Sequence, residues 1–214
     1  PGRYAAWMAA AGWEVTLLDP VPLHVAQAAA SVPGRVARAD GRALPHPDAS
    51  FDAALVLGPL YHLPDRDDRV VVLREAARVV RPGGVVVAAA ISRLASMLSG
   101  FSEGTITDER FRAIVARDLT DGLHRNPERV PGWFTTAYFH RPADLAGELR
   151  DGGLQDVRVV GVEGPSWLWG DRGREPEDEE WRRAALWAAE LVEDDDEFMP
   201  MSAHLLGIAR RPPP

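Results

Sequence analysis

The stretch LREAARVVRPGGVVVAAAIS, residues 73–92, changes periodicity across a proline–glycine turn. Upstream, Val71, Leu73, Ala76, Ala77 and Val80 recur at helical spacing and predict a helix over Asp67 to Val80. Pro82-Gly83-Gly84 stops it. Downstream, Val85 to Ile91 is an unbroken run of β-branched and small apolar residues. Such a run predicts a strand buried on both faces, as in a parallel sheet.

The same alternation extends toward the N-terminus. Phe51 to Leu57 is a strand running into Gly58-Pro59, and Val36 to Ala39 is a short strand ending at Asp40. Leu23 to Ala30 is a helix opened by Pro20 and Pro22. Val15 to Leu18 is a strand ending in Asp19, preceded by the alanine-rich helix Arg3 to Ala11. Repeated strand–helix alternation with short connections predicts an α/β, doubly wound, mostly parallel sheet.

Beyond Ser92 the pattern changes. Residues 93–140 hold helical pieces (Arg93 to Leu98, Asp108 to Leu119) and the aromatics Trp133, Phe134, Tyr138 and Phe139. They read as a helical cap inserted into one domain, whose core is 1–92 and 141–214. Pro142 to Asp151 is a helix, Val157 to Val162 a strand, and Pro165 to Asp178 a loop holding Trp167 and Trp169. The acidic helix Asp178 to Val192 and the strand His204 to Ala209 complete the chain.

Composition excludes several chemistries. With 214 residues, 46% hydrophobic and 26% charged, the chain has the makeup of one globular domain. The net charge of −8 argues against a general nucleic-acid binder. No apolar run reaches membrane-spanning length. All 24 basic residues are arginine, so a Schiff-base lysine and a P-loop lysine are excluded. Cysteine is absent, which removes disulfides, thiolate nucleophiles and cysteine metal sites and fits a cytoplasmic setting. No histidine pair has metal-ligand spacing, so no metal is expected.

In open α/β sheets, ligands bind beyond the carboxyl ends of the strands. Asp19 ends the first strand; an acid there accepts hydrogen bonds from ribose hydroxyls or caps the following helix. Asp40, before Gly41, accepts from an exocyclic amine or forms an Asx-turn. Gly58 allows close ligand approach or forms a tight turn with Pro59. A complete GxGxxG loop is not present.

These pieces carry a resemblance. VTLLDP (15–20), ADG (39–41), LPHPDASFD (44–52), LVLGPLYHL (55–63) and LREAARVVRPGG (73–84) follow in the order seen in class I S-adenosylmethionine-dependent methyltransferases. Residues 1–92 are similar to the small-molecule branch that includes quinone-biosynthesis enzymes. The resemblance implies a Rossmann-like sheet ending in an antiparallel hairpin, formed here by 157–162 and 204–209. It implies that Pro1-Gly2 ends the glycine-rich loop and that the sequence begins inside that loop. The first central strand, between the Asp19 and Phe51 strands, is then missing. It also implies a cofactor site of Gly2, Asp19, Pro20, Asp40, Gly41, Leu57, Gly58 and Tyr61. Asp19 would take the ribose and Asp40 the adenine amine, with S-adenosylmethionine as methyl donor and S-adenosylhomocysteine as product.

Methyl transfer is an in-line displacement, and a hydroxyl or amine acceptor must also lose a proton to a base, often histidine. His62, beside the strand end, and His140 are candidate bases, and Tyr138 offers a polar handle. In the cap, His124, Arg125 and Trp133 are candidate contacts to a small-molecule acceptor; each has an ordinary packing or surface role as its alternative. Two other functions share parts of the pattern. One is a nicotinamide-dependent oxidoreductase. The other is a degenerate, non-catalytic cofactor-binding or interaction module.

Overall fold

A computed structural model describes residues 1–169 and 178–213. In chain order the elements are α1 (Arg3–Ala10), β1 (Thr16–Asp19), α2 (Pro22–Ala29), β2 (Arg35–Arg38), β3 (Phe51–Val56), α3 (Pro59–His62) and α4 (Arg66–Val79). They continue with β4 (Val80–Ser92), α5 (Ala95–Glu103), α6 (Glu109–Asp121), β5 (Leu123–His124), β6 (Ala137–His140), α7 (Pro142–Asp151), β7 (Gln155–Gly161), α8 (Glu179–Val192) and β8 (His204–Arg210). No helix among the described residues is long and apolar enough to cross a membrane.

The strand read from residues 85–91 is the axis of the molecule. On one edge of β4, β8 runs antiparallel, pairing Val85 with Arg210 through Ile91 with His204. β7 then pairs antiparallel with β8, giving the expected terminal hairpin. The other edge of β4 is shared. β3 lies parallel along its first part, pairing Val56 with Ala88, and β6 lies parallel at its end, pairing Ile91 with Phe139 and Ser92 with His140. This sharing sets the carboxyl end of β3 and the following α3 against β6. Within residues 93–140, read above as the cap, β6 joins the main sheet and β5 pairs antiparallel with it.

β1 and β2 form a separate parallel pair. Among the described residues no ladder joins β1 to β3, so the strands form a two-stranded and a six-stranded sheet.

Helix α4 illustrates how local sequence sets an element. The Asp65 carboxylate accepts from the Asp67 N–H at 2.8 Å and caps its start. Asp67 and Asp68 in its first turn and Arg78 in its last oppose the helix dipole. It buries Val70, Val72, Leu73, Ala76, Ala77 and Val79. Leu73 joins Leu60, Val86, Leu145, Leu149 and Leu205 in one apolar core between sheet and helices. Each such side chain contributes roughly 1.5–3 kcal/mol through burial. The predicted loop Pro165 to Asp178 begins instead within a 3-10 helix, Gly164–Trp169; residues 170–177 lie outside the described residues.

The start of β8 is tied to this segment. The His204 backbone N–H and Nδ1 both contact the Glu163 carboxylate. The hydrogen bond to Glu163, offset in part by burial, holds the imidazole above its ordinary 6.5. Burial pushes Glu163 upward, but hydrogen bonds from His204 outweigh it and hold the acid below 4.5. A raised histidine stabilises the fold below its unfolded pKa and loses that contribution as pH rises through its folded pKa. A lowered acid stabilises above its unfolded pKa and loses that contribution as pH falls through its folded value. The pair is therefore at full strength between about pH 4.5 and 6.5. His204→Gln is expected to cost at most about 1 kcal/mol there, because the pair is partly exposed. That cost should shrink above neutral pH in urea unfolding curves; a pH-independent cost would contradict the ion pair.

Candidate functional site

The carboxyl ends of β1, β2 and β3 carry Asp19, Asp40 and Gly58. Asp19 is partly exposed. Its Oδ1 accepts from the Val21 N–H at 2.8 Å, and its Oδ2 lies 3.2 Å from His24 Nδ1. Asp19 thus forms an Asx-turn ahead of α2 and does not cap the helix itself, whose N-cap is Val21, and its carboxylate stays partly open to solvent at the strand end. Pro20 is exposed, and its carbonyl accepts from Arg38 Nε at 3.1 Å, locking the ends of β1 and β2 together.

Asp40 forms its Asx-turn: Oδ1 accepts from the Arg42 N–H at 2.9 Å. The Arg42 guanidinium also grips both carboxylate oxygens and reaches Asp68 Oδ2 at 2.8 Å. Side-chain hydrogen bonds from Arg42 hold the Asp40 carboxyl below its ordinary value. Next to it, Gly41 packs against Val72 of α4 and Pro59 of α3. This brings the Asp40 turn to the start of α3.

Gly58 caps α3 with φ 150°, a backbone conformation that disfavours a side chain. Among the described residues beyond its chain neighbours, a Cβ at Gly58 would meet only the Tyr61 hydroxyl, at 3.7 Å, so the backbone is open to a ligand. Leu57 is half-buried beside it. Tyr61 packs on the cluster Ile91, Ala95, Ala137 and Phe139, and burial raises its phenol above 10.0.

Gly2 does not join this group. It caps α1 at φ 80°, and a Cβ there would stand 2.7 Å from Val32 Cγ2 and 3.2 Å from the Ala28 Cβ. Those neighbours lie at the far end of α2 from Asp19, about 12 Å away at 1.5 Å per residue. Gly2 therefore serves the packing of α1 on α2 in this structure.

Beyond α3 an aromatic cluster forms. The His62 ring lies 4.7 Å from Tyr61 and stacks on Phe134 at 6.3 Å. Phe134 meets His124 edge-on at 6.2 Å, and His124 stacks on Phe139 at 5.0 Å. Burial lowers the His62 imidazole below 6.5, favouring its neutral form. His124 Nδ1 lies 2.7 Å from Asp118 Oδ2, with both side chains buried.

Tyr138 and His140 point elsewhere. Side chains alternate along a strand, so β6 turns Ala137 and Phe139 toward α3 and places Tyr138 and His140 on the opposite face. Tyr138 Oη is 3.1 Å from Arg93 Nη2, and Arg69 stacks over its ring at 3.6 Å. Burial raises its phenol above 10.0. His140 is fully buried, with Nε2 3.1 Å from Glu148 Oε2. Burial lowers this imidazole below 6.5, so it is a neutral donor to a carboxylate that Arg69 also binds. Of the two remaining cap residues, Trp133 packs on Phe111 at 5.2 Å and Arg110 at 5.3 Å within the cap itself. Arg125 is exposed, and its carbonyl accepts from Arg117.

The structure thus gathers Gly41, Leu57, Gly58, Tyr61, His62 and His124 around α3. It separates them from Gly2 and from the Tyr138–His140 face. Asp118 escapes the sequence reading, although the signal exists. On α6 the buried positions are Phe111, Ile114, Val115 and Asp118, so an acid occupies an apolar helical position.

Comparison with known proteins follows this geometry. The family described as "Methyltransferase domain" matches residues 1–88. A 27-O-demethylrifamycin SV methyltransferase of Amycolatopsis mediterranei is 56% identical over 46 residues, 22% of this chain and 16% of that protein. A ubiquinone biosynthesis O-methyltransferase of Xanthomonas euvesicatoria is 28% identical over 173 residues, 78% of this chain and 64% of that protein. The chain spans less than two thirds of the length of either relative. The crystal structure of an S-adenosylmethionine-dependent methyltransferase from Mesorhizobium loti superposes with TM-score 0.61 at 20% identity, covering 98% of this chain and 86% of that one. Another, from Methanosarcina mazei, gives 0.60 at 16% identity, covering 97% and 86%. Residues 1–88 thus match a methyltransferase domain, and the fold is the one seen in S-adenosylmethionine-dependent methyltransferases of known structure.

Proposed function

We propose that the protein transfers a methyl group from S-adenosylmethionine to a hydroxyl oxygen of a small-molecule acceptor. The observation that carries this reading is the placement of a partly exposed carboxylate, an exposed one and an open glycine backbone at the carboxyl ends of β1, β2 and β3, within the residues that match the family. The names of two relatives, both O-methyltransferases, support oxygen as the target. No specific observation favours the oxidoreductase or the non-catalytic module.

The residues present suit the donor. Asp19 offers a carboxylate to a vicinal diol, and Asp40 offers one to an amine once Arg42 shifts fully to Asp68. Gly58 leaves its backbone uncovered, with Tyr61 and His62 next to it. When bound, S-adenosylmethionine supplies an electrophilic methyl on a sulfonium. The protein's part is to hold the acceptor in line, which is worth roughly 7–11 kcal/mol of the barrier, and to keep water out with the rings around α3.

S-adenosylhomocysteine at 100 times its dissociation constant should stabilise the fold by about 2.7 kcal/mol. Its addition is expected to raise the melting temperature, while NAD leaves it unchanged. Stabilisation by NAD alone would overturn the assignment.

A further inference from the structure

The Asp118–His124 pair has unusual bonding for a packing element. Both side chains are buried, to 0% and 1% exposure. His124 Nδ1 donates to Asp118 Oδ2 at 2.7 Å, since a carboxylate only accepts. The other ring nitrogen, Nε2, then carries a lone pair. It is buried and has no hydrogen-bond partner, and neither has Asp118 Oδ1. An unsatisfied buried polar atom is costly to the fold, and such exceptions call for an explanation.

Position supplies one. The two ring nitrogens of an imidazole point in nearly opposite directions, so Nε2 faces away from α6. The rings about His124 are Phe139, stacked at 5.0 Å, and Phe134, edge-on at 6.2 Å. Phe134 is 43% exposed and stands between His124 and His62, the last residue of the helix that Gly58 caps. Of the two rings that flank His124, Phe134 is the exposed one, and an acceptor reaching Nε2 would have to displace it.

We propose that His124 is the base that takes the acceptor's proton, that Asp118 is its positioning residue, and that the acceptor is a phenol. This deepens the methyl-transfer reading and rests on it. The acceptor oxygen forms a bond to the methyl carbon as the sulfur–carbon bond breaks, and the sulfur keeps that electron pair. The hydroxyl proton passes to Nε2, and from there to solvent after product leaves. A positive charge is lost at the sulfonium and appears on the imidazolium, where Asp118 already faces it. The aromatic rings of Phe134, His62 and Phe139 in this cluster suit an aromatic acceptor, because offset and edge-on aromatic pairs are attractive.

The comparison with His140 sharpens the choice. His140 also pairs with a buried acid and leaves Nδ1 without a partner. Its acid, however, is shared with the Arg69 guanidinium, so protonating His140 would set two cations on one carboxylate. Among the described residues, His124 is the only ion-pair partner of Asp118. The charged and titratable groups near His124 are otherwise His62 on α3, Arg117 on α6, the exposed Arg125, and Arg93. Arg93 Nε donates to the Phe139 carbonyl, and its Nη2 lies by Tyr138 and Asp144.

The test uses 4-nitrophenol as probe, added to the full chain with S-adenosylhomocysteine at a pH where the free phenol is protonated. Proton transfer to His124 generates the phenolate absorption band, saturating at one equivalent. The band should fall at least tenfold in His124→Gln. It should also fall at least tenfold in Asp118→Asn, whose amide oxygen still accepts from Nδ1 but brings no negative charge. A merely structural Asp118 would tolerate that isosteric change. Melting temperature and calorimetric affinity for S-adenosylhomocysteine should survive in Asp118→Asn, which serves if His124→Gln fails to fold. No band in the wild type, or an unchanged band in Asp118→Asn, overturns the proposal. Loss of S-adenosylhomocysteine binding by the wild type instead sinks the methyl-transfer reading itself.

Discussion

Replacing Glu148 with alanine is expected to destabilise the protein by about 3–5 kcal/mol, the usual cost of stranding one partner of a buried ion pair. Arg69 and Glu148 are each 1% exposed. Arg69 Nε and Nη2 donate to the Glu148 carboxylate, the latter at 2.7 Å, and Nη1 donates to the carbonyls of Leu63 and Pro64. His140 donates to the same carboxylate. Burial pushes the Glu148 acid upward, but the hydrogen bonds from His140 and Arg69 outweigh it and hold the group ionised, below its ordinary 4.5. In Glu148→Ala the guanidinium keeps its charge, loses its counterion and cannot reach water. The double variant Arg69→Met, Glu148→Leu should recover most of the loss, because an apolar pair of similar volume removes both desolvation costs. Urea midpoints of the three proteins check this. A single variant as stable as the wild type would mean that water reaches the site.

Asp19→Ala is expected to weaken S-adenosylhomocysteine binding about 100-fold. Two hydrogen bonds from a diol to a carboxylate, at the low end of about 1.5 kcal/mol each for an exposed site, sum to about 3 kcal/mol, and 1.4 kcal/mol is tenfold in affinity. Part of any loss comes from α2, since Asp19 also holds the Val21 N–H and His24. That structural share, an ordinary hydrogen bond to the Val21 N–H, is about 1 kcal/mol of fold stability and appears in the melting temperature of the unliganded protein. Asp19→Asn keeps an acceptor oxygen for Val21 but not the charge. It should retain the fold and still bind more weakly, by isothermal calorimetry. Unchanged affinity in both variants would remove Asp19 from the site.

The central strand and the terminal hairpin were legible because their signals are local, whereas Val80 and Pro82-Gly83-Gly84, read as helix end and turn, belong to β4. A change from helical to continuous apolar spacing identifies β4 without knowledge of its neighbours. The strand-end residues Asp19, Asp40 and Gly58 were legible for the same reason. Their present partners were not: Arg42 on Asp40 and His24 on Asp19 depend on side-chain reach. The face of β6 was hidden because HPHP-type alternation decides which residues meet only once the strand is known. Tyr138 and His140 were therefore named as candidates together with His62, whereas they lie on the face of β6 opposite Phe139. Asp118, Arg69 and Glu148 are charged residues on helices, and charge ordinarily reads as surface. Only contacts between α4, α6, α7 and β6 reveal that these three are buried. The place of Gly2 depends on how α1 packs on α2, which no local pattern states.

The most direct test of the methyl-transfer account is isothermal titration of S-adenosylhomocysteine into the wild-type chain. The account predicts a single saturable site per chain, weakened about 100-fold by Asp19→Ala. A folded chain that gives no saturable binding heat would contradict it.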